Sequence, residues 1–181
     1  MVKGTAAEKA ESPVKIALLA GEGEICEHCG APLMNLIEID GRDPRLAFLG
    51  LEGVVRAKCC LNCVIYTLDD NFCRYQLDGS SQPLPFKAYN DESNISAKEF
   101  AAMVANTYIL GPGPVAPRYA ADYYRGSSIG GVAFWWQGCE IRTCPDCGKP
   151  MMYLAQIQLD TIWDSMYGKV YIEICRDCKL L

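Results

Sequence analysis

Eight cysteines in four Cys-x-x-Cys pairs are the residues whose type and spacing most directly imply chemistry. Cys26 and Cys29 are followed by Cys60 and Cys63; Cys144 and Cys147 are followed by Cys175 and Cys178. One such turn lets two thiolates converge on one ion. Two turns complete the closed, tetrahedral four-sulfur shell of a structural Zn2+ site. The expectation is therefore two Zn2+ per chain, one for each set of four. His28, the only histidine, lies between two ligand cysteines and is read as an exposed turn residue. Cys59 adjoins a ligand and is a competitor for its place. Cys73 and Cys139 are read as thiols outside both sites, packed by default as small hydrophobes.

The two sets are copies of one another. Gly30, Pro32, Met34, Leu36 and Ile39 follow the first pair, as Gly148, Pro150, Met152, Leu154 and Ile157 follow the third, at the same offsets. Gly53, Val55, Cys60 and Cys63 align with Gly168, Val170, Cys175 and Cys178. This internal repeat selects Cys60 over Cys59 as ligand. Each glycine after a first pair lets the turn take a positive φ around the metal.

A shell of four thiolates leaves no open coordination position, and catalytic zinc needs one. No Gly-x-Ser-x-Gly, phosphate loop or dinucleotide fingerprint is present in the sequence. The chain is accordingly expected not to be an enzyme. With 181 residues, a net charge of -5 and half its residues hydrophobic, it reads as globular and acidic. The acidity argues against nucleic acid as partner. The longest early apolar run, Ile16 to Ala20, is too short for a signal core or membrane span. Disulfide scaffolds are usually smaller and secreted. A reducing, cytoplasmic setting is expected, with no membrane association.

The elements that must position these thiols are mostly strands. Leu33 to Ile39 and Val54 to Lys58 predict the strands of a first module, with a turn at Gly41 to Pro44. The alternation Tyr153, Ala155, Ile157, Leu159 and Val170, Ile172, Ile174 predicts those of the second. Ser12-Pro13 predicts a short helix ending at Gly21. Phe72 to Leu77 predicts a further strand, and Asp78 to Pro83 a linker. Ser96 and Glu99 form a capping box for a helix with Phe100, Met103, Val104 and Thr107 on one face. Gly111 to Pro117 stops it.

The expected fold class is thus α+β, mainly β: two duplicated zinc-ribbon-like four-cysteine modules bridged by a helix and an aromatic loop region. Residues 1–20 are a lead-in, 21–78 the first zinc module, 79–127 linker, helix and Pro/Gly loop, and 128–181 the second module. Within the aromatic stretch, Tyr119, Tyr123, Tyr124 and Trp136 are the candidate partner-binding residues. Trp135 is read as packing between the modules.

A longer pattern runs from Ser128 to Cys178. It comprises Ile129-Gly130-Gly131, Trp135-Trp136-Gln137, Cys144-Pro145-Asp146-Cys147-Gly148-Lys149-Pro150-Met151, Leu154-Ala155-Gln156-Ile157 and the closing Cys175 and Cys178. This resembles the bacterial YwqG-like family and its eukaryotic relatives, the programmed-cell-death-2 proteins. The resemblance implies a non-enzymatic, protein-binding role, chaperone-like in the eukaryotic relatives and linked to toxin immunity in the bacterial ones. The expected function is a zinc-stabilised cytoplasmic adaptor that binds another protein. The alternative is a zinc ribbon that binds nucleic acid, with Tyr123, Tyr124 or Trp136 stacking on bases.

Overall fold

The computed structural model describes residues 1–65, 71–85, 95–111, 126–135, 138–163 and 167–181. The fold is α+β and mainly β, as the sequence predicts. Its two largest sheets are three-stranded and antiparallel. One is ordered β2 (Val14–Leu19), β3 (Met34–Asp40), β4 (Val54–Cys59); the other is ordered β10 (Lys169–Ile174), β9 (Met152–Gln158), β8 (Ser128–Ile129). In each sheet the central strand follows the first cysteine pair, and one outer strand runs straight into the second pair.

The duplication reaches further than the cysteine motifs. Ile16 pairs with Ile37, and Ile129 pairs with Ala155 at the equivalent place, so the third strand is repeated as well. Each central strand carries one extra residue against its ligand-bearing neighbour. The register slips between Asn35 and Ile37, and again where Ala155 and Tyr153 face Ile172 and Glu173. The residues inserted, Leu36 and Leu154, are both buried. Such bulges bend a strand and re-aim its side chains. Across from them lie two left-handed residues, Ala17 at φ 50° and Gly130 at φ 62°. The Gly130 amide donates to the Leu154 carbonyl at 2.7 Å.

Residues 12–21 do not form the predicted helix. The helix comes earlier, as α1 (Ala6–Glu11), capped by Thr5 and Glu8, and Ser12 ends it. Val14 to Leu19 then forms β2, with Val14, Ile16 and Ala17 fully buried. The physical reason is the burial available: Val14 and Ile16 alternate and are β-branched, and they complete a sheet that β3 alone cannot cover. The stretch 78–83 is likewise more than a linker. β5 (Cys73–Tyr75) and β6 (Ser81–Pro83) form a hairpin around Asp78 and Gly79, and the strand predicted from Phe72 to Leu77 shrinks to β5. The turn at Gly41 continues into a 3-10 helix, Pro44–Leu49, started by Asp43.

Helix α3 (Ala97–Val104) begins with the predicted capping box at Ser96 and Glu99. Met103 is its fully buried residue, while Phe100 is only partly covered. β1 (Val2–Lys3) pairs with β7 (Tyr108–Ile109), tying the N-terminus to the segment after α3. Lys9 caps α3 from outside: its Nζ donates to the carbonyls of Val104 and Asn106. One continuous apolar core takes residues from both large sheets, including Ile16, Ile37, Val55, Leu154, Ile157 and Ile174. Two small zinc-ribbon-like sheets have little core each, so sharing one is what lets them bury it.

Candidate metal centres

The first cysteine pair of each module lies in the same backbone turn. Gly30 N–H donates to the Cys26 carbonyl at 2.8 Å, and Gly148 N–H to the Cys144 carbonyl at 2.9 Å. Both glycines are left-handed, at φ 71° and 69°, as the turn requires. The turn closes when Cys26 N–H donates to Ala31 and Cys144 N–H donates to Lys149. Ile25 bridges Pro32, and Thr143 bridges Pro150, at matching places. The closing pairs differ. Cys60 opens a short helix, α2 (Leu61–Ile65), whereas Cys175 and Leu180 exchange two backbone hydrogen bonds across a turn with Lys179 at φ 53°.

These turns bring the expected thiols together. Cys26, Cys29, Cys60 and Cys63 form one cluster and Cys144, Cys147, Cys175 and Cys178 another, with all sulfurs of a cluster within 4.8 Å of one another. Cys26 Sγ lies 3.8 Å from Cys63 Sγ; Cys29 Sγ lies 3.5 Å from Cys60 and 3.6 Å from Cys63. Cys147 and Cys175 are 3.7 Å apart. A tetrahedron of sulfurs with metal–sulfur bonds of about 2.3 Å has edges of about 3.8 Å. A disulfide needs about 2.05 Å, and all these cysteines are free. The spacing therefore fits a divalent ion at the centre of each set. His28 is exposed and belongs to neither cluster, and Cys59 stands outside the first, as the repeat predicted.

The electrostatics favour a cation. Burial pushes the Cys60 thiol up to about 12 and raises Cys63 and Cys178 further, with neighbouring thiols adding to the effect. Burial also works to raise Cys144, but the amides of Cys147 and Asp146 outweigh it and bring that thiol down to about 7. Within each cluster the anions disfavour one another, and a bound dication is what would relieve them. The two clusters differ in exposure: Cys147 of the second is exposed, while every member of the first is at least half covered.

Of the remaining thiols, Cys59 and Cys73 pack, but Cys139, expected to pack, does not. Burial raises Cys59 strongly and pushes Cys73 up to about 11. Cys73 Sγ lies 3.5 Å from the Arg56 carbonyl, at the outer edge of β4. Cys139 is exposed. Beside the first site a cleft of about 460 Å3 opens between the modules, walled by β4 residues Ala57 to Cys59 and by β10 residues Lys169 to Glu173. Trp135 borders it. Its ring packs on the second module, 4.4 Å from Tyr171 and 6.5 Å from Tyr153. The predicted partner-binding residues Tyr119, Tyr123, Tyr124 and Trp136 lie outside the described residues.

Three functional details escaped sequence reasoning. Gln156, buried in β9, accepts from Phe134 N–H and donates to the Gly126 carbonyl, so it holds the loop entering and leaving β8. Arg74 spans both turns of the second site, donating to the Cys178 carbonyl and to Asp146, each at 2.9 Å. Lys58 pairs with Glu24 beside the first site, and at the equivalent places of the second module Glu173 accepts from the Arg142 amide. Extending the repeat alignment by two residues would have found this reversal of charge; no sequence signal marks Arg74.

The chain is 31% identical over 176 residues to an uncharacterized protein, YpfL, of Salmonella typhimurium, and the match takes in 93% of this chain and 40% of that protein. The chain thus spans well under half the length of the curated relative it matches. No family model matches the chain. No solved structure matches it significantly.

Proposed function

We propose that this protein is a zinc-stabilised adaptor that binds another protein, chaperone- or immunity-like in role, with both four-cysteine clusters holding structural Zn2+. The observation that carries this reading is the pair of all-thiol clusters with tetrahedral spacing. Zn2+ suits four thiolates better than the hard cations, which prefer oxygen. When bound, the ion would cross-link two turns and contribute folding energy, and with four protein ligands it would have no position left for substrate. The net charge of -5 favours a protein partner over a polyanion. Resemblance to the YwqG-like and programmed-cell-death-2 proteins supports the same role.

A pull-down from the native host, with zinc-loaded protein as bait, tests the reading. A stoichiometric polypeptide that survives nuclease treatment supports it. A nuclease-sensitive complex, lost steeply as salt rises, would favour the nucleic-acid alternative.

A further inference from the structure

The two clusters sit differently in the molecule. Around the first, the packed apolar neighbours among the described residues are Ala31 and Leu33, which belong to the same module. Around the second, Cys144, Cys175, Met151 and Leu180 pack with Phe72 and Leu84, which flank the β5–β6 hairpin of the first module. Backbone bonds join the same parts. Cys73 N–H donates to the Leu181 carbonyl at 2.8 Å, Leu181 N–H returns to Cys73 at 2.9 Å, and Tyr75 N–H donates to Lys179 at 3.0 Å. Between them, Leu180 is fully buried and bridges Arg74, whose guanidinium reaches both turns of the second site.

From this we infer that the second four-cysteine site is the latch between the modules. Its ligand turn, Cys175 to Cys178, is the same turn that presents Lys179, Leu180 and Leu181 to β5. Whatever fixes Cys175 and Cys178 to Cys144 and Cys147 therefore fixes the docking strand. Among the described residues, the first site packs within its own module and makes none of these backbone bonds. Cys73 and Leu181 line the cleft together with β4 and β10, so releasing the latch opens that edge of the cleft while the shared core still joins the sheets. The metal content of the second site thereby governs access to the cleft. The inference rests on metal occupying the clusters, as proposed above, but is tested by a separate reading.

Hydrogen exchange at the Cys73 and Tyr75 amides, measured alongside native mass spectrometry for metal count, makes that test. In Cys147→Ser, with one zinc lost, these amides are expected to exchange at least about tenfold faster, while the β2–β4 sheet keeps its protection. In Cys29→Ser, with the other zinc lost, the two amides keep the wild-type rate. Unchanged exchange in Cys147→Ser, or equal acceleration in both variants, overturns the latch. Should either cysteine variant fail to fold, Arg74→Gln decides: with two zinc ions retained, faster exchange at the two amides supports the latch and an unchanged rate refutes it. A wild-type protein without metal defeats the zinc reading by mass alone.

Discussion

At the residue scale, the clearest case is the adjacent pair Cys59 and Cys60. Taken locally, the adjacent thiols leave either one able to complete the first site. The repeat places Cys60 in register with Cys175, and the structure puts Cys60 in the cluster. Cys60→Ser is therefore predicted to lose one of two bound zinc ions, whereas Cys59→Ser keeps both; metal analysis of the two purified variants distinguishes them. A second pair of positions, Ala17 and Gly130, was not legible. Both are left-handed and oppose a bulge, yet nothing in an alanine announces that backbone. Such a conformation costs a non-glycine residue about 1 kcal/mol. Ala17 and Ala155 are both fully buried strand alanines. Ala17→Gly is expected to destabilise less than Ala155→Gly, by about 1 kcal/mol in denaturant titration, because only the first substitution relieves strain. Gly130→Ala should be costly: its new Cβ would meet the Phe48 ring and add the same strain.

At the scale of elements, the strands around the cysteines were readable because period-two alternation and the repeat agree. The N-terminal segment was misread for a physical reason. Ser12-Pro13 is a good local helix start, but burial of Val14 and Ile16 against β3 outweighs local preference. A cap signal seven residues earlier, Thr5 with Glu8, is the operative one. The sheet it completes carries a cross-strand ion triad. Glu38 on β3 receives Lys15 from β2 at 2.8 Å and Arg56 from β4 at 2.6 Å. Burial alone would raise the Glu38 carboxyl; its two bonded cations outweigh that and hold it below the usual range. A depressed folded value means stabilisation that is complete above the unfolded carboxylate value of about 4.3 and is lost as pH falls through the folded one. Glu38→Gln is predicted to lose about 1–3 kcal/mol near neutral pH. Its deficit relative to wild type should shrink steadily below about pH 4, as urea melts across pH would read.

At the scale of the molecule, duplication was visible from cysteine spacing, but the way its halves join was not. Of the aromatic stretch, Trp135 is the residue the sequence assigns to the junction. Instead the modules meet through a shared core, the β5 strand and residues Lys179 to Leu181, and Trp135 packs on the second module. Short strands such as Cys73–Tyr75 take their docking role from a partner distant in sequence, and no local period records which partner that is. If both clusters hold structural metal, its binding energy is folding energy. Chelation is then predicted to unfold the sheets or lower the thermal midpoint by more than about 10 °C, read by circular dichroism, with recovery on adding Zn2+ under reducing conditions.

The most direct test of two duplicated, structural four-thiolate centres is native mass spectrometry of protein purified without added metal. The predicted result is two zinc ions per chain with all eleven cysteines reduced. A metal-free chain, its mass lowered by disulfides within Cys26/Cys29/Cys60/Cys63 or Cys144/Cys147/Cys175/Cys178, would contradict the account.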